Sequence, residues 1–393
     1  MTQTDLLLPL PATRTAALAR LAAFLPRAGL AYAARRNEDV PGHPHVSGLS
    51  PYLRHRLLTE AEVIEATLAH HPQGADKFLA EVWWRTYWKG WLELRPAIWT
   101  DYRQGLKASL NRVQTESGLR RAWEEACHGT TGIDGFDHWA QELVQTGYLH
   151  NHARMWFASI WIFTLRLPWE LGADFFLRHL IDGDPASNTL SWRWVAGLHT
   201  PGKTYAATAD NIAKNTNGRF RPTGLARDCA PLPMRPHPAP RPAPTGNQPE
   251  PGAKQALLLH DDDLAGDGFA QIDAPLYLLS TTARRSSLAV NPLVGDFVDA
   301  AFADTAKRRG QPDAPRFTDA TLDALADTLA AAGVEQLLTP YAPIGPTAAA
   351  LQRLGPLLDA RGIRLARLLR PHDRAAWPHA THGFFRFREG VMG

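Results

Sequence analysis

Apolar residues recur every three to four positions over residues 13–24, 60–70, 77–94, 136–146, 152–166 and 171–181, the spacing that lines one face of a helix. Thr59 followed by Glu60 and Glu62 supplies a helix start, and Pro168 a stop. Strand-like alternation is scarce in this half, which reads as all-helical. Further along, short apolar runs at 256–259, 276–279, 336–338 and 365–369 are separated by helical stretches such as 322–332 and 347–360. Alternation of strand and helix predicts a parallel sheet with crossover helices, a Rossmann-like α/β fold. Between the two patterns, nine of the 21 residues 231–251 are proline, a composition that resists helix and sheet and gives an extended spacer of about 3 Å per residue. The expected organisation is a helical domain over 1–230, a proline-rich linker over 231–254 and an α/β domain over 255–393.

Composition narrows the chemistry. Of 13 tryptophans only Trp377 lies beyond Trp194, so the helical half has an indole-rich core. Two cysteines, Cys127 and Cys229, exclude a disulfide framework and a four-cysteine metal site, point to a reducing compartment and read as inert thiols. No metal ligand set is expected. The charge balance of +3 is too small to demand nucleic acid by itself. No apolar run approaches the roughly 20 residues that span a bilayer, and the N-terminus lacks a signal-peptide pattern, so the expectation is a soluble, cytoplasmic protein with no membrane partner. The α/β half contains neither GxGxxG nor a P-loop.

The informative stretch is 131–194. His150, Asn151 and Arg154 fall within one helical turn, and Asp182 and Asp184 follow a helix from which they can pair with Arg154. Burying charge costs several kcal/mol unless it is paired and hydrogen-bonded, so a polar centre in an aromatic core points to a polar ligand. Taken alone, Glu81 reads as a solvated helix carboxylate and His150 as a satisfied helix histidine; His199 shows no ligand spacing. Arg54, Arg56 and the basic residues between Lys203 and Arg221 fit a DNA groove and a solvated surface equally well.

Several ordered motifs resemble the FAD-binding domain of DNA photolyases and cryptochromes, over roughly residues 32–200. VSGLS at 46–50 resembles the family's phosphate-holding TSxLS and keeps Ser47, Leu49 and Ser50; Tyr32 matches an upstream aromatic that contacts the cofactor. Glu81, Trp84 and Arg85 match ExxWR; Asn151 and Arg154 match the helix that covers the isoalloxazine; Asp182 and Asp184 match the DGD loop. Asn188 falls where photolyases place the asparagine facing the flavin's central ring nitrogen, and Trp192 and Trp194 follow at the family's spacing.

The resemblance implies a U-shaped FAD held by Tyr32, Ser47, Leu49, Ser50, Arg85, Asn151, Arg154, Asp182, Asp184 and Asn188. It implies a pyrimidine-dimer pocket of Glu81, Trp84, Asn151, Met155 and Trp194, and electron-transfer and catalytic roles for Glu81, Asn188, Trp192 and Trp169. The implied activity is light-driven repair of pyrimidine dimers in DNA, a lyase reaction; the alternative is a cryptochrome-like blue-light receptor acting through a signalling partner protein. The (6-4) enzymes have histidines where this chain has Asn151 and Met155. The chain departs from the family at TGID (131–134), at NTLSW (188–192) and at the outer position of the tryptophan chain, which aligns with Val113; Trp156, Trp161 and Trp123 are candidate substitutes. ALLLHDDDL (256–264) and GFFRFRE (383–389) resemble the opening and closing of the family's α/β antenna domain. That domain precedes the FAD domain in the family, so its position here implies a circular permutation. No antenna chromophore is implied.

Overall fold

The structure, a computed structural model, describes residues 10–233, 236–265 and 272–392. The opening nine residues of the helical half, Met234 and Arg235 of the proline-rich stretch, six residues after β1 and Gly393 lie outside them.

The first half is built of α1 (Arg14–Phe24), α2 (Leu30–Arg35), α3 (Ser50–Arg54), α4 (Glu60–His70), α5 (Asp76–Glu93), α6 (Ala97–Thr115), α7 (Ser117–His128), α8 (Phe136–Thr146), α9 (Asn151–Ser159), α10 (Trp169–His179), α11 (Pro185–Val195) and α12 (Ala209–Asn215). Start signals act where the sequence places them. The Thr59 side chain accepts from the Glu62 amide while Glu62 reaches back to the Thr59 amide, a capping box that begins α4. The helix expected over 152–166 divides: α9 ends at Ser159 and runs into a π-helical turn, Ile160–Thr164. The core holds Trp139, Trp156, Trp161 and Trp192, all essentially buried, among Phe136, Phe157, Phe175 and Phe176. Packing is tightest where Gly172 of α10 meets Trp192 of α11: a Cβ on Gly172 would lie 2.3 Å from Trp192 Cη2.

The second half is a five-stranded, wholly parallel sheet of β1 (Gln255–His260), β2 (Leu276–Ser280), β3 (Arg316–Thr318), β4 (Gln336–Pro340) and β5 (Arg364–Leu368), in the order β3-β2-β1-β4-β5. Its helices are α13 (Pro292–Arg308), α14 (Leu322–Ala331), α15 (Pro346–Asp359), α16 (Pro371–Ala376) and α17 (Phe384–Met392). Alternation along β1 decides what each face meets. Leu257 and Leu259 join α13 and Tyr52 and Leu53 of α3, whereas Ala256 and Leu258 join α14 and α15. One face of the sheet therefore packs against the helical half.

The proline-rich stretch lies on the body of the protein. Arg241 donates through its amide to Leu94 and through Nε to the Glu93 carbonyl at 2.7 Å, and the Asn247 amide bonds the Arg367 carbonyl. The segment expected to resemble the antenna's closing residues is helical: α17 packs back on α5, with Phe384 and Phe387 beside Tyr87, Trp88 and Trp91.

Candidate functional site

Helical periodicity puts Glu81, Trp84, Arg85, Trp88 and Lys89 along one stripe of α5. Arg85 is the most telling: its Nε and Nη2 are buried and have no protein hydrogen-bond partner. Two further elements close on it. His150 caps α9, its Nδ1 accepting from the His152 amide at 3.1 Å, and one turn later Arg154 donates through Nε to Leu149 O and through Nη2 to Asp182 Oδ2 at 2.9 Å. Asp182 lies between α10 and α11. Asp184 caps α11, its carboxylate accepting from the Ser187 amide at 2.8 Å.

Both aspartates are almost fully buried. Burial works to raise their pKa, but Arg154, Ser50 and Arg85 hold Asp182 below the usual carboxylate range, and Lys89, Arg54 and Arg85 do so for Asp184. Arg85 thus acts on both carboxylates while hydrogen-bonding to neither. Asn188, buried in α11, donates through Nδ2 to Ala173 O at 2.7 Å, which leaves its amide oxygen as the acceptor available to a neighbour. Asp182 Oδ1 and Ser187 Oγ are also buried without a partner. Donors and acceptors left open this close together fit a heterocycle that both gives and takes hydrogen bonds, such as a flavin.

Ser47 accepts from the Leu49 amide at 3.3 Å ahead of α3, Leu49 is buried, and Ser50 opens α3 beside Asp182. Tyr32 is buried edge-on to Phe24 and Phe78, and burial, with the Glu81 charge, raises its hydroxyl pKa. Ser47 lines a cavity of about 250 Å³ between α1 and residues 42–47, whose other walls include Arg20, Phe24, Arg27 and His43. His43 pairs with Glu142 at 2.9 Å and Asp39 at 3.3 Å; burial opposes its charge, yet these carboxylates lift it to about 9. Its ring lies 5.3 Å from Tyr148, over which Arg154 sits at 5.6 Å. The wall from α1 and Glu142, the second partner of His43, carry no local sequence signal: they are distant in the chain from Ser47, whereas Asp39 lies only four residues before His43.

The residues expected to grip a substrate are arranged differently. Trp84 lies face to face on Phe384 of α17, centroids 3.9 Å apart and planes 8° apart. Trp194 stacks on Tyr205 at 5.7 Å. Glu81 forms an ion pair with Arg36, Asn151 is exposed at the start of α9, and Met155 is half-buried. Trp192 is ringed by Phe176 at 5.1 Å, Trp161 at 6.2 Å and Phe157 at 6.4 Å. Of the substitutes for the missing outer tryptophan, Trp161 touches Trp192, Trp156 stacks on Trp139 and Trp123 is half-buried against the core. Trp169 is buried against Tyr102.

One expectation is overturned. Arg54 and Arg56 line neither a DNA groove nor a solvated surface: they are 3% and 2% exposed, and pair with Asp262 at 2.6 Å and with Asp263 and Asp373 at 3.1 and 2.6 Å. Three consecutive acids after β1 need donors: Arg54 at the end of α3 serves Asp262, Arg56 just beyond it and Arg370 serve Asp263, and Thr281 and Thr282 serve Asp261. Among the described residues no helix is long and apolar enough to cross a membrane, and no group of three or more His, Cys, Asp or Glu could hold a metal ion.

Residues 78–220 match the profile of the FAD binding domain of DNA photolyase. That span includes the site from Glu81 to Trp194 and leaves Tyr32 and 46–50 outside it. Among similar proteins, a deoxyribodipyrimidine photo-lyase of Streptomyces griseus is 34% identical over 165 residues, 40% of this chain and 35% of that protein. Another, from Thermus thermophilus, is 36% identical over 207 residues, 50% of this chain and 46% of that protein. The match therefore spans less than half the length of each. A solved bacterial class III photolyase from Agrobacterium tumefaciens superposes with a TM-score of 0.43 at 28% identity, covering 52% of this chain and 43% of that one.

Proposed function

We propose, for a chain that belongs to the photolyase/cryptochrome family through its FAD-binding region, a light-dependent enzyme that binds pyrimidine dimers in DNA and splits them with an electron from reduced FAD. The observation that supports this best is the convergence of Arg85, Arg154, Asp182 and Asn188, with hydrogen-bonding capacity left open in a buried setting.

Arg85, Arg154, Asp182 and Asp184 would hold the flavin's polar edge, while Ser47, Ser50 and the cationic wall of the neighbouring cavity would take its phosphates. When bound, FAD supplies light absorption and one-electron transfer. The protein's part is to orient and to tune. The ion pair with Arg154 keeps Asp182 ionised as an acceptor, and the Ala173 carbonyl fixes the Asn188 amide so that its oxygen accepts a proton-bearing nitrogen. Trp192 and Trp169 would return electrons from the protein. Glu81, Trp84, Asn151, Met155 and Trp194 would receive a flipped-out dimer, and α17 would have to yield Trp84 to it. In this reading the sheet is an antenna-type domain placed after the FAD domain by circular permutation, tied to it by the 231–254 linker.

The stacking of Phe384 on Trp84 favours a second reading, a blue-light receptor without repair activity, in which the covered indole serves packing. Thymine-dimer reversal under blue light, on single- and double-stranded DNA with reduced protein, separates the two. Repair of either substrate supports the enzyme. Flavin-bound protein that repairs neither leaves the receptor, and protein that takes up no FAD removes both.

A further inference from the structure

The tryptophan route proposed above ends at Trp169, because the residue aligned with the outer indole, Val113, is an aliphatic side chain buried in the core. The fold places another aromatic there. Tyr102 of α6 lies 5.6 Å from Trp169, ring to ring, with planes 40° apart. On its other side Trp99 lies 5.2 Å away at 38°. Trp99 is half-buried, with the Arg103 guanidinium 5.9 Å from its ring, so the row Trp169–Tyr102–Trp99 runs from the core towards the surface. Trp169 also opens the helix whose Gly172 is pressed against Trp192, so both indoles belong to one packed unit.

The Tyr102 hydroxyl is unusual. Its ring is 1% exposed, yet its oxygen has no hydrogen-bond partner. A buried polar group left unpaired is destabilising, and phenylalanine would avoid that cost. Beyond burial, Asp174 of α10 is the charge that bears most on this hydroxyl, ahead of Arg103 and Glu170. Asp174 is itself 1% exposed, with Oδ1 unpartnered and Arg178 Nε at 3.5 Å from its other oxygen. Burial raises Asp174 to about 6, so at neutral pH it is largely ionised and can still accept a proton.

We propose that Tyr102 is the outer electron relay of this chain. In that step Tyr102 gives one electron to a Trp169 radical cation and its phenolic proton to Asp174, becoming a neutral tyrosyl radical. An exogenous thiolate then restores it through Trp99, giving up one electron and leaving as a thiyl radical, while the proton returns from Asp174. The hole on Trp169 would come by way of Trp192 from bound oxidised flavin under light, and in this respect the proposal rests on the flavin reading.

The test uses the full chain as purified and Tyr102→Phe, which keeps the ring and removes only the unpartnered hydroxyl. Radicals are followed by time-resolved absorption and electron paramagnetic resonance in two arms. One arm is a blue-light flash. The other needs no flavin: a ruthenium polypyridyl photosensitiser with a sacrificial acceptor oxidises the half-exposed Trp99 from outside. The expected result is a tyrosyl radical in the unaltered protein that is lost in Tyr102→Phe, leaving a tryptophanyl radical, with slower tyrosyl formation in Asp174→Asn and a Tyr102→Phe protein that melts no lower than the unaltered one. A tyrosyl signal of equal yield in Tyr102→Phe, or only tryptophanyl signals in both proteins under the external oxidant, overturns the relay. A Tyr102-dependent radical under the external oxidant with none under blue light upholds the relay and removes the flavin reading.

Discussion

Two buried ionic centres lie close together in this molecule and differ in how their arginines are paired. In a doubly wound sheet of order β3-β2-β1-β4-β5 the ligand crevice is expected beyond the strand ends, where β1 and β4 part company. Here that place is filled. Asp261 accepts from Thr281 and Thr282, Asp262 from Arg54, and Asp263 from Arg56 and Arg370. Arg56 adopts a left-handed backbone, φ 48°, as it meets its carboxylates. The void left among Arg54, Lys89, Asp184, Asp262 and Pro343 is about 10 Å³, room for one water. A few residues away, Arg85, Asp182 and Ser187 keep buried polar atoms open. Arg54 joins the two centres, bonding Gly183 O at 2.7 Å and Asp262 at 2.6 Å. The first centre is not saturated either, since Arg56 Nε and Asp373 Oδ1 are buried without a hydrogen-bond partner, but its cations bond directly to its carboxylates, whereas in the second Arg85 bonds to neither aspartate.

Removing one charge from each centre is the sharpest way to break this contrast. Arg54→Ala strands a buried Asp262 and is expected to cost about 3–5 kcal/mol in urea unfolding, and Asp182→Ala to give folded protein that no longer retains flavin, read as the absorbance of bound flavin per chain. An unchanged urea midpoint in the first, or full colour in the second, would erase the distinction. Next comes pH. The folded-state pKa of His43 is raised from 6.5 to about 9, so its contribution is fully present below pH 6.5 and is lost as pH rises through 9. Stability should fall by about 2–3 kcal/mol between pH 7 and 10, as followed by melting. Buried His150, depressed to about 3 with burial as the main cause, acts on the other flank: stability falls as pH drops below 6.5. Gly172→Ala drives a Cβ into Trp192 and Trp161 and should cost about 1–3 kcal/mol. The smallest effect belongs to Thr59→Ala, which opens the capping box of α4 for about 1 kcal/mol and should leave flavin content untouched.

Legibility followed the range of the interactions. The helix read over 60–70 and the strand starts at Leu276 and Gln336 lie where periodicity puts them, because local pattern and burial agree. Helix α11 was not read from periodicity: PASNTLSWRWV is polar yet buried, since its surroundings are the site itself. Strand β3 is a three-residue edge, Arg316–Thr318, too short and too polar to announce itself. The Arg154–Asp182 pair was legible because the two residues flank neighbouring helices. The cover on Trp84 was not, since Phe384 comes from the far end of the chain and nothing in either local pattern refers to the other.

That distant contact has a consequence for how the molecule is made. Trp377 is wholly buried against α5, where a Cβ on Gly90 would come within 2.7 Å of its ring, and Phe384 and Phe387 pack on the same helix beside Tyr87. On the ribosome, α5 emerges long before these aromatics and has to wait for the whole sheet to be translated. The helical half and the sheet are therefore stitched in both directions, and a protease nick in the proline-rich stretch should yield two fragments that stay together.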